Sequence, residues 1–296
     1  MKLITTVSTV AVSLTAVALA TPARSAGEAE CPLAPGQVVS TLVTSDKLVK
    51  AMSLVPAERD EYQTTADYQS IVQKALGPLS VATTFEVDEG DRSFISYNAD
   101  KQRIEIGIGH FDFYSILDFD RYKLRDYFKL TMDDFDRYMS EHLIVGLGES
   151  KVATASYDAA NSFGVSTTVT AYNRVSVHVH GGLYENIDAL TAWSFEPDEF
   201  INTEYGFKRP VITIPMASEV ARSEMPSLRA VIATSGLGGE FLVTEGYFSP
   251  TIKRPEEITS TNFLFTSEIL CGAFIDSNSM VVKVVQILDE QVPYPE

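Results

Sequence analysis

The chain has 296 residues, of which 45% are hydrophobic and 21% are charged, a composition typical of globular proteins and not of disordered ones. Its formal net charge is −17, from 40 acidic and 23 basic residues. A surface of that sign repels phosphate backbones and anionic lipid headgroups, so we expect no nucleic-acid partner and no binding to a membrane surface. Solubility is the simplest reason for the acidity, and cationic partners or divalent metals are compatible with it.

The first 26 residues have the pattern of a secretory signal peptide. Lys2 provides the positive start, an apolar run extends from Leu3 to Leu19, and small residues follow it. We expect cleavage after Ala20, with cleavage after Ala26 as the alternative. The run is short and no cluster of stop-transfer charges follows it, so the sequence predicts no membrane span and a mature protein in the periplasm or outside the cell.

The chain contains two cysteines, Cys31 and Cys271. In an oxidising compartment such a pair usually bonds, and the sequence therefore predicts a disulfide between them. The bond would connect the start of the mature chain to an apolar strand near its end. The alternative for Cys271 is the role of a small buried hydrophobic residue.

Between residues 27 and 150 the sequence predicts a mixture of helices and strands. A helix begins at Thr64, which forms a capping pattern with Asp67, and ends at Gly77. Two further helices are predicted to start at Ser115 and Thr131, the second of them continuing to about residue 145. Strands are predicted at Val81–Val87, Ser93–Tyr97 and Arg103–Ile108.

Between residues 151 and 296 the sequence is mainly β, with one short helix near Ser218–Ser223. The last two strands would form a hairpin across residues 276–279. Strands are predicted at Leu190–Phe195, Val211–Met216, Leu228–Thr234, Phe241–Phe248, Phe263–Ile275 and Met280–Leu288.

Apolar residues alternate with polar ones from Val165 to Ala171 and again from Val175 to Val179. The inward positions are odd-numbered in both stretches. A three-residue loop at 172–174 would pair odd positions with odd ones, so we favour a hairpin there. One uninterrupted strand is the alternative.

Together these elements predict an α+β fold with antiparallel sheets, helices mostly in the first half and a β-rich second half for which a sandwich is one possible arrangement. The boundary between a 27–150 region and a 151–296 region is soft, and a single domain is the alternative.

His178 and His180 are the clearest candidates for a metal site. Residues two apart on a strand project from the same face, so both imidazoles could reach one ion, with zinc or copper favoured by the ligand type. Their face is predicted to be the polar, solvated one, where exposed histidines without a ligand are common. A third donor would have to come from His110, His142 or a carboxylate.

The segment Tyr138–His142 is close to the H-x-x-E-H pattern of inverzincin peptidases, but Tyr138 stands where the first histidine ligand belongs. His142 also falls on the apolar stripe of the predicted helix, which indicates a core histidine. We therefore do not assign a metallopeptidase.

Acidic and aromatic residues alternate closely over residues 111–136. Carboxylates beside aromatic rings are what a glycosidase or a sugar-binding cleft requires. Asp118 and Asp134, however, lie where helix starts need an acceptor, and Asp133 lies in a first turn. A helical core with capping acids is the simpler interpretation.

The sequence contains no G-x-S-x-G, H-E-x-x-H or C-x-x-C motif. We therefore expect a non-catalytic secreted or periplasmic binding protein that needs no cofactor and whose ligand is a protein or a small molecule. A secreted hydrolase with a site assembled across the chain is one alternative, and it could be metal-dependent. A structural or envelope-associated component is the other.

Overall fold

The computed structural model describes residues 30–77, 79, 82–88, 95–107, 142–160, 163–183, 195–202, 208–237 and 241–287. Several predictions lie outside these residues and stay predictions. They are the signal peptide, the helix starts at Ser115 and Thr131, the acidic and aromatic segment 111–136, and all but the last residue of the strand Leu190–Phe195.

The described residues form three helices and thirteen strands. The helices are α1 (Ser45–Met52), α2 (Thr65–Leu76) and α3 (Ser218–Glu224), the last followed by a 3₁₀ turn at Met225–Ser227. The strands are β1 (Leu42–Val43), β2 (Thr84–Glu86), β3 (Ile95–Asn98), β4 (Arg103–Gly107), β5 (His142–Ala160), β6 (Ser166–Leu183), β7 (Glu199–Asn202), β8 (Lys208–Pro215), β9 (Arg229–Thr234), β10 (Phe241–Phe248), β11 (Glu256–Thr266), β12 (Ile269–Ile275) and β13 (Val281–Gln286).

These strands make three sheets. Sheet 1 has the order β1-β2-β9-β12-β13, sheet 2 the order β10-β11-β6-β5, and sheet 3 the order β3-β4-β8-β7. The pairs β1–β2 and β6–β11 are parallel, and the other pairs are antiparallel. The prediction of a β-rich, mostly antiparallel α+β fold with helices mainly in the first half is confirmed. The soft boundary near residue 150 stays a prediction.

One hydrophobic cluster connects the three sheets. Phe85 and Phe274 come from sheet 1, Phe263 and Phe265 from sheet 2, and Ile106 from sheet 3, each at most 1% exposed. Helices α1 and α2 also contribute buried side chains to this cluster. Burying a large apolar side chain contributes roughly 1.5–3 kcal/mol, so the shared cluster holds the sheets against one another.

Helix α2 begins as the sequence predicts. The Thr64 side chain accepts a hydrogen bond from the backbone N–H of Asp67 at 3.1 Å, which satisfies one of the otherwise unpaired donors of the first turn. The helix buries Val72, Ala75 and Leu76 in the shared cluster. Among the described residues, no helix has the length and apolarity needed to cross a membrane.

The disulfide Cys31–Cys271 is present, with the two Cα atoms 5.5 Å apart and 240 positions of sequence between them. Cys271 is fully buried on β12, within a second hydrophobic cluster that also contains Val39 and Val281. The backbone N–H of Val39 donates to the carbonyl of Ser279 at 2.9 Å, so the segment after Cys31 is also tied to the β12–β13 hairpin by backbone hydrogen bonds. The predicted pairing of the cysteines is confirmed.

The predicted hairpin at 172–174 is wrong, because β6 continues through it as one strand from Ser166 to Leu183. The alternative of an uninterrupted strand is correct. Physically, β6 has a partner on each side: β5 pairs with it from Ser166 to Leu183, and β11 pairs with it from Thr170 to His180. Backbone groups of residues 172–174 are therefore satisfied by neighbouring strands and need no turn.

Two further strand boundaries differ from the prediction. His142 begins strand β5, whereas the sequence predicts a helix that continues past it. The apolar run 263–275 is divided at Ser267 and Glu268 between β11 in sheet 2 and β12 in sheet 1. The hairpin formed by β12 and β13 is present as predicted.

Candidate binding site on sheet 2

Strand β6 gives sheet 2 one apolar and one polar face. Its odd-numbered residues Val177 and Val179 are fully buried in the shared cluster, as the alternation predicts. Its even-numbered residues Ser176, His178 and His180 point to the opposite face. We call this second side the polar face of sheet 2, and its inner part is also buried, since these three side chains are between 2% and 4% exposed.

The burial of His178 and His180 corrects the expectation of a solvated face. Across from His178 lie Gly146 on β5 and Leu264 on β11. A Cβ added at Gly146 would lie 3.8 Å from both His178 Cδ2 and Asp88 Cβ, an ordinary van der Waals distance, so Gly146 borders the imidazole without crowding it. A hairpin turning at 172–174 would have set Ser166 and Thr168 opposite the two histidines, but on the continuous strand β6 they are ten or more positions away from them.

Burial lowers the pKa of His178 from 6.5 to about 4, because a charged imidazole would lose its hydration. A hydrogen bond with the backbone of Phe263 acts in the opposite direction, and the positive charge of Arg174 lowers the pKa further. At neutral pH the side chain is therefore an uncharged imidazole, the form that binds metal ions.

No group of three His, Cys, Asp or Glu side chains is close enough to hold a metal ion within the part of the chain that the structure describes. His180 is flanked by Ile144 and Thr266, neither of which is a usual metal ligand. Metal binding by His178 and His180 stays a prediction.

A row of hydrogen-bonded polar side chains crosses the buried part of the polar face. The Ser176 hydroxyl donates to Asn262 Oδ1 at 2.7 Å, and Asn262 Nδ2 donates to Thr244 Oγ1 at 3.5 Å. Asn262 and Thr244 are both fully buried. The row links β6, β11 and β10, and its register is fixed because a one-residue slip would leave buried polar groups without partners.

Towards one end of the sheet the polar face becomes exposed and charged. Lys151 Nζ lies 2.9 Å from Glu256 Oε2 and 4.2 Å from the centre of the Tyr172 ring. Arg254 Nε lies 3.5 Å from the same Glu256 oxygen. Hydrogen bonding and charge from Lys151, with a smaller contribution from Arg254, lower the pKa of Glu256. The charges at this end are therefore paired with one another.

The turn from β10 to β11 closes this end of the sheet, and we call residues 247–254 the β10–β11 turn. Thr251 and Arg254 exchange backbone hydrogen bonds of 2.8 and 3.1 Å, and Thr251 Oγ1 accepts a third from the Arg254 N–H at 3.0 Å. Just beyond it, the Pro255 carbonyl accepts the N–H of Thr170 on β6. Arg174 and Arg254 both lie against the ring of Phe248, 5.6 and 5.7 Å from its centre. The turn is thus fixed by hydrogen bonds, by Pro250 within it and Pro255 directly after it, and by stacking.

Exposed apolar side chains concentrate at the same end of sheet 2. Of the twelve large hydrophobic residues exposed among those described, seven lie here. Isolated exposed apolar residues are ordinary, but a concentration of this kind marks interaction surfaces. The seven are Val152, Tyr157, Phe163, Val165, Tyr247, Phe248 and Ile252.

A separate cleft of about 610 Å³ opens beside the start of α1. Glu86 lines the cleft, accepting the backbone N–H of Ser45 at 3.4 Å and lying 3.7 Å from Arg229. The cleft thus carries a carboxylate and a guanidinium that neutralise each other, and it contains none of the predicted site residues.

Sequence reasoning and structure overlap only in part at the site. The histidine pair lies on the polar face, while His142 begins β5 at the far end of the same sheet and the rest of the Tyr138–His142 motif lies outside the described residues. The buried row around Asn262 and the exposed turn were not predicted. The sequence carries no clear signal for the row, since Asn262 lies at the end of a run of four polar residues, Thr259 to Asn262, within β11.

Comparison of the chain with protein-family models, with curated proteins and with solved structures finds no match. The function is therefore inferred from the site alone.

Proposed function

We propose that the chain is a non-catalytic, secreted binding protein that docks a partner protein on the β10–β11 turn. The observation that carries the proposal is the exposure of three large apolar side chains on a turn whose backbone is already fixed. Tyr247 is 60% exposed, Phe248 is 37% exposed and Ile252 is 45% exposed.

A fixed turn favours binding because little conformational entropy is lost when a partner docks on it. Tyrosine, phenylalanine and arginine are the side chains enriched in the centres of protein interfaces, and Tyr247, Phe248 and Arg254 provide all three within eight residues. The turn is an edge of the sheet, so a partner can approach it without moving the core.

The charge pattern favours a protein partner over a small ion. Lys151 and Arg254 are both paired with Glu256, so these two cations beside the turn already have a counter-ion within the chain. It offers aromatic area bordered by paired charges instead, which is the arrangement of a protein interface with an apolar centre and a polar rim.

Secretion is supported by the signal-peptide pattern of the first 26 residues and by the disulfide, since disulfides persist mainly in oxidising compartments. Against the hydrolase alternative, both cysteines are bonded, and the hydroxyl proton of Ser176 is donated to Asn262. Neither group is arranged as a nucleophile next to a base.

The test is site-specific photo-cross-linking in the native compartment. A photoreactive phenylalanine analogue replaces Ile252 in one variant and Tyr62 in a control, because Tyr62 is 87% exposed but lies between α1 and α2. We expect a defined cross-linked partner from position 252 that position 62 does not give. Equal products from both positions, or a cross-link only to another copy of the chain, would contradict the proposal.

The cross-linked partner is then purified and its affinity is measured by calorimetry. We expect the Tyr247→Ser/Ile252→Ser variant to bind at least about tenfold more weakly, the usual effect of removing central interface residues. The matched control is Tyr62→Ser, which should bind like the wild type. Unchanged affinity of the turn variant would overturn the assignment of the surface.

A further inference from the structure

The opposite edge of sheet 2 has a different character. From Lys151 to Ala160, strand β5 pairs with β6 on one side, and no described strand pairs with its other side. Nine of these ten residues are exposed and Ala159 is partly buried, so none of the residues that the structure describes covers this stretch. An uncovered strand edge is a row of free backbone donors and acceptors that can accept another strand.

The side chains of this stretch do not shield the edge. Proteins commonly protect an edge strand with prolines or with charged side chains that reach across it, and this stretch has no proline. Its polar side chains instead bond back across the sheet to β6 and β11. These contacts are Lys151 with Glu256, Thr154 with the Ala171 carbonyl, Ser156 with the Val169 carbonyl, Tyr157 with Glu257, and Asp158 with Thr168. Four of the ten residues are alanines, whose small side chains allow close approach.

We infer that this edge pairs with the same edge of a second copy of the chain, antiparallel and about a two-fold axis, in the register that sets Lys151 opposite Asp158 of the second copy. By symmetry the same pair occurs twice. Val152 then lies opposite Tyr157 of the second copy, an aliphatic residue beside an aromatic one. The result is one continuous eight-stranded sheet across two chains.

The bulge between Ala153 and Ala155 makes this register possible. Paired residues of an antiparallel ladder must point to the same face. Lys151 and Asp158 are an odd number of positions apart and would lie on opposite faces of a regular strand. Because of the bulge, both are paired with even-numbered residues of β6, Arg174 and Thr168, and therefore lie on the polar face together.

The neighbouring registers are less favourable. A shift of two positions in one direction sets Asp158 opposite Glu149 of the second copy, and two carboxylates directly opposite each other repel. A shift in the other direction sets Lys151 opposite Ala160 and leaves both charges without a counterpart. Charge complementarity therefore selects a single register and a second copy as the occupant.

A single strand pairing buries less area than a standard interface, so we expect a dimer with a dissociation constant in the micromolar range. The experiment is sedimentation velocity of the full mature protein across that range. Lys151→Glu, and separately Asp158→Lys, places like charges opposite each other twice and should weaken the dimer at least tenfold. The swapped variant Lys151→Asp/Asp158→Lys restores opposite charges and should restore the dimer.

The matched control for Lys151→Glu is Lys101→Glu, because Lys101 is an exposed lysine in an ion pair with Glu199 on sheet 3 and its reversal changes the net charge by the same amount. This control should dimerise like the wild type. Hydrogen exchange of residues 151–158 should slow as the concentration of the wild type rises. A wild type that remains monomeric, or a dimer that both single reversals leave intact, would overturn the inference.

This inference does not rest on the proposed partner surface. Asp158→Lys is the variant that separates the two tests, because Lys151 also pairs with Glu256 beside the β10–β11 turn, whereas Asp158 bonds to Thr168 and its reversal leaves Tyr247 and Ile252 in place. A variant that loses the dimer but binds the partner normally tests this inference alone. A variant that loses partner binding but still forms the dimer tests the proposed function alone.

Discussion

His178 should make the protein acid-sensitive in a defined pH window. In the unfolded chain its imidazole titrates near 6.5, whereas in the folded protein its pKa is lowered to about 4. Above pH 6.5 both states are neutral and the group has no effect on stability. As the pH falls below 6.5 the unfolded state binds a proton that the folded state does not bind until about pH 4, so stability is lost between these values.

The size of the effect follows from the difference of roughly 2.5 pKa units. One unit corresponds to 1.36 kcal/mol, so the loss should be about 2 kcal/mol at pH 5 and about 3 kcal/mol at pH 4. The charged groups that face His178 do not offset this loss, since Arg174 lowers the pKa further. Asp88 borders the same space, since a Cβ added at Gly146 would lie 3.8 Å from both Asp88 Cβ and His178 Cδ2.

The assay is urea unfolding of the wild type and of His178→Asn at a series of pH values from 7.5 to 4. Other groups titrate in both proteins, so the quantity to follow is the difference between their unfolding free energies. On going from neutral pH to pH 5, the unfolding free energy of the wild type should fall by about 2 kcal/mol more than that of His178→Asn. A difference that stays constant to within about 0.5 kcal/mol would mean that His178 titrates normally, and the burial argument would be refuted.

Three further predictions concern stability. Gly148→Ala should cost about 1–3 kcal/mol, because the new Cβ would lie 2.8 Å from a side-chain carbon of α1. Gly146→Ala is the control, since its Cβ would have no neighbour closer than 3.8 Å. Thermal melting measures both variants, and equal melting points would contradict the packing argument. Reduction of Cys31–Cys271 should lower the unfolding free energy by at most about 5 kcal/mol, which is the chain-entropy value for so long a loop. Urea unfolding with and without reductant measures the effect, and identical curves would show that the bond adds no stability. Asn262→Ala should cost about 1–3 kcal/mol, because it leaves a buried hydroxyl without its acceptor; a denaturation midpoint equal to that of the wild type would show that the polar row adds no stability.

The sequence predicts elements well where a local rule decides the structure. The Thr64 side chain caps α2 by accepting the backbone N–H of Asp67. Phe241–Phe248, rich in aromatic and β-branched residues, is β10 with the predicted bounds. The cysteines pair because no other thiol exists. Each of these outcomes depends on residues close in sequence or on the absence of competitors.

The sequence does not predict elements whose cause lies in distant strands. Tyr172-Asn173-Arg174 is compatible with both a turn and a strand, and the presence of β5 and β11 on both sides decides for the strand. The second half of β5, Lys151–Ala160, has neither alternation nor β-branched enrichment and becomes a strand because β6 offers a ladder to it. The polarity of the histidine face was predictable, but its burial was not, because alternation says which residues share a face and not what covers it.

Sheet 1 has a consequence for how the chain reaches its native state. Its neighbours β2 and β9, and β9 and β12, are far apart in sequence, and its outer strands β1 and β13 come from opposite ends of the described chain. Contacts between residues so far apart in sequence form slowly, because the chain loses entropy in closing a long loop before the contacts can compensate for that loss. If the chain is secreted as proposed, β12, Cys271 and β13 would cross the membrane last, so this sheet and its disulfide would be completed only after almost the whole polypeptide has been translocated.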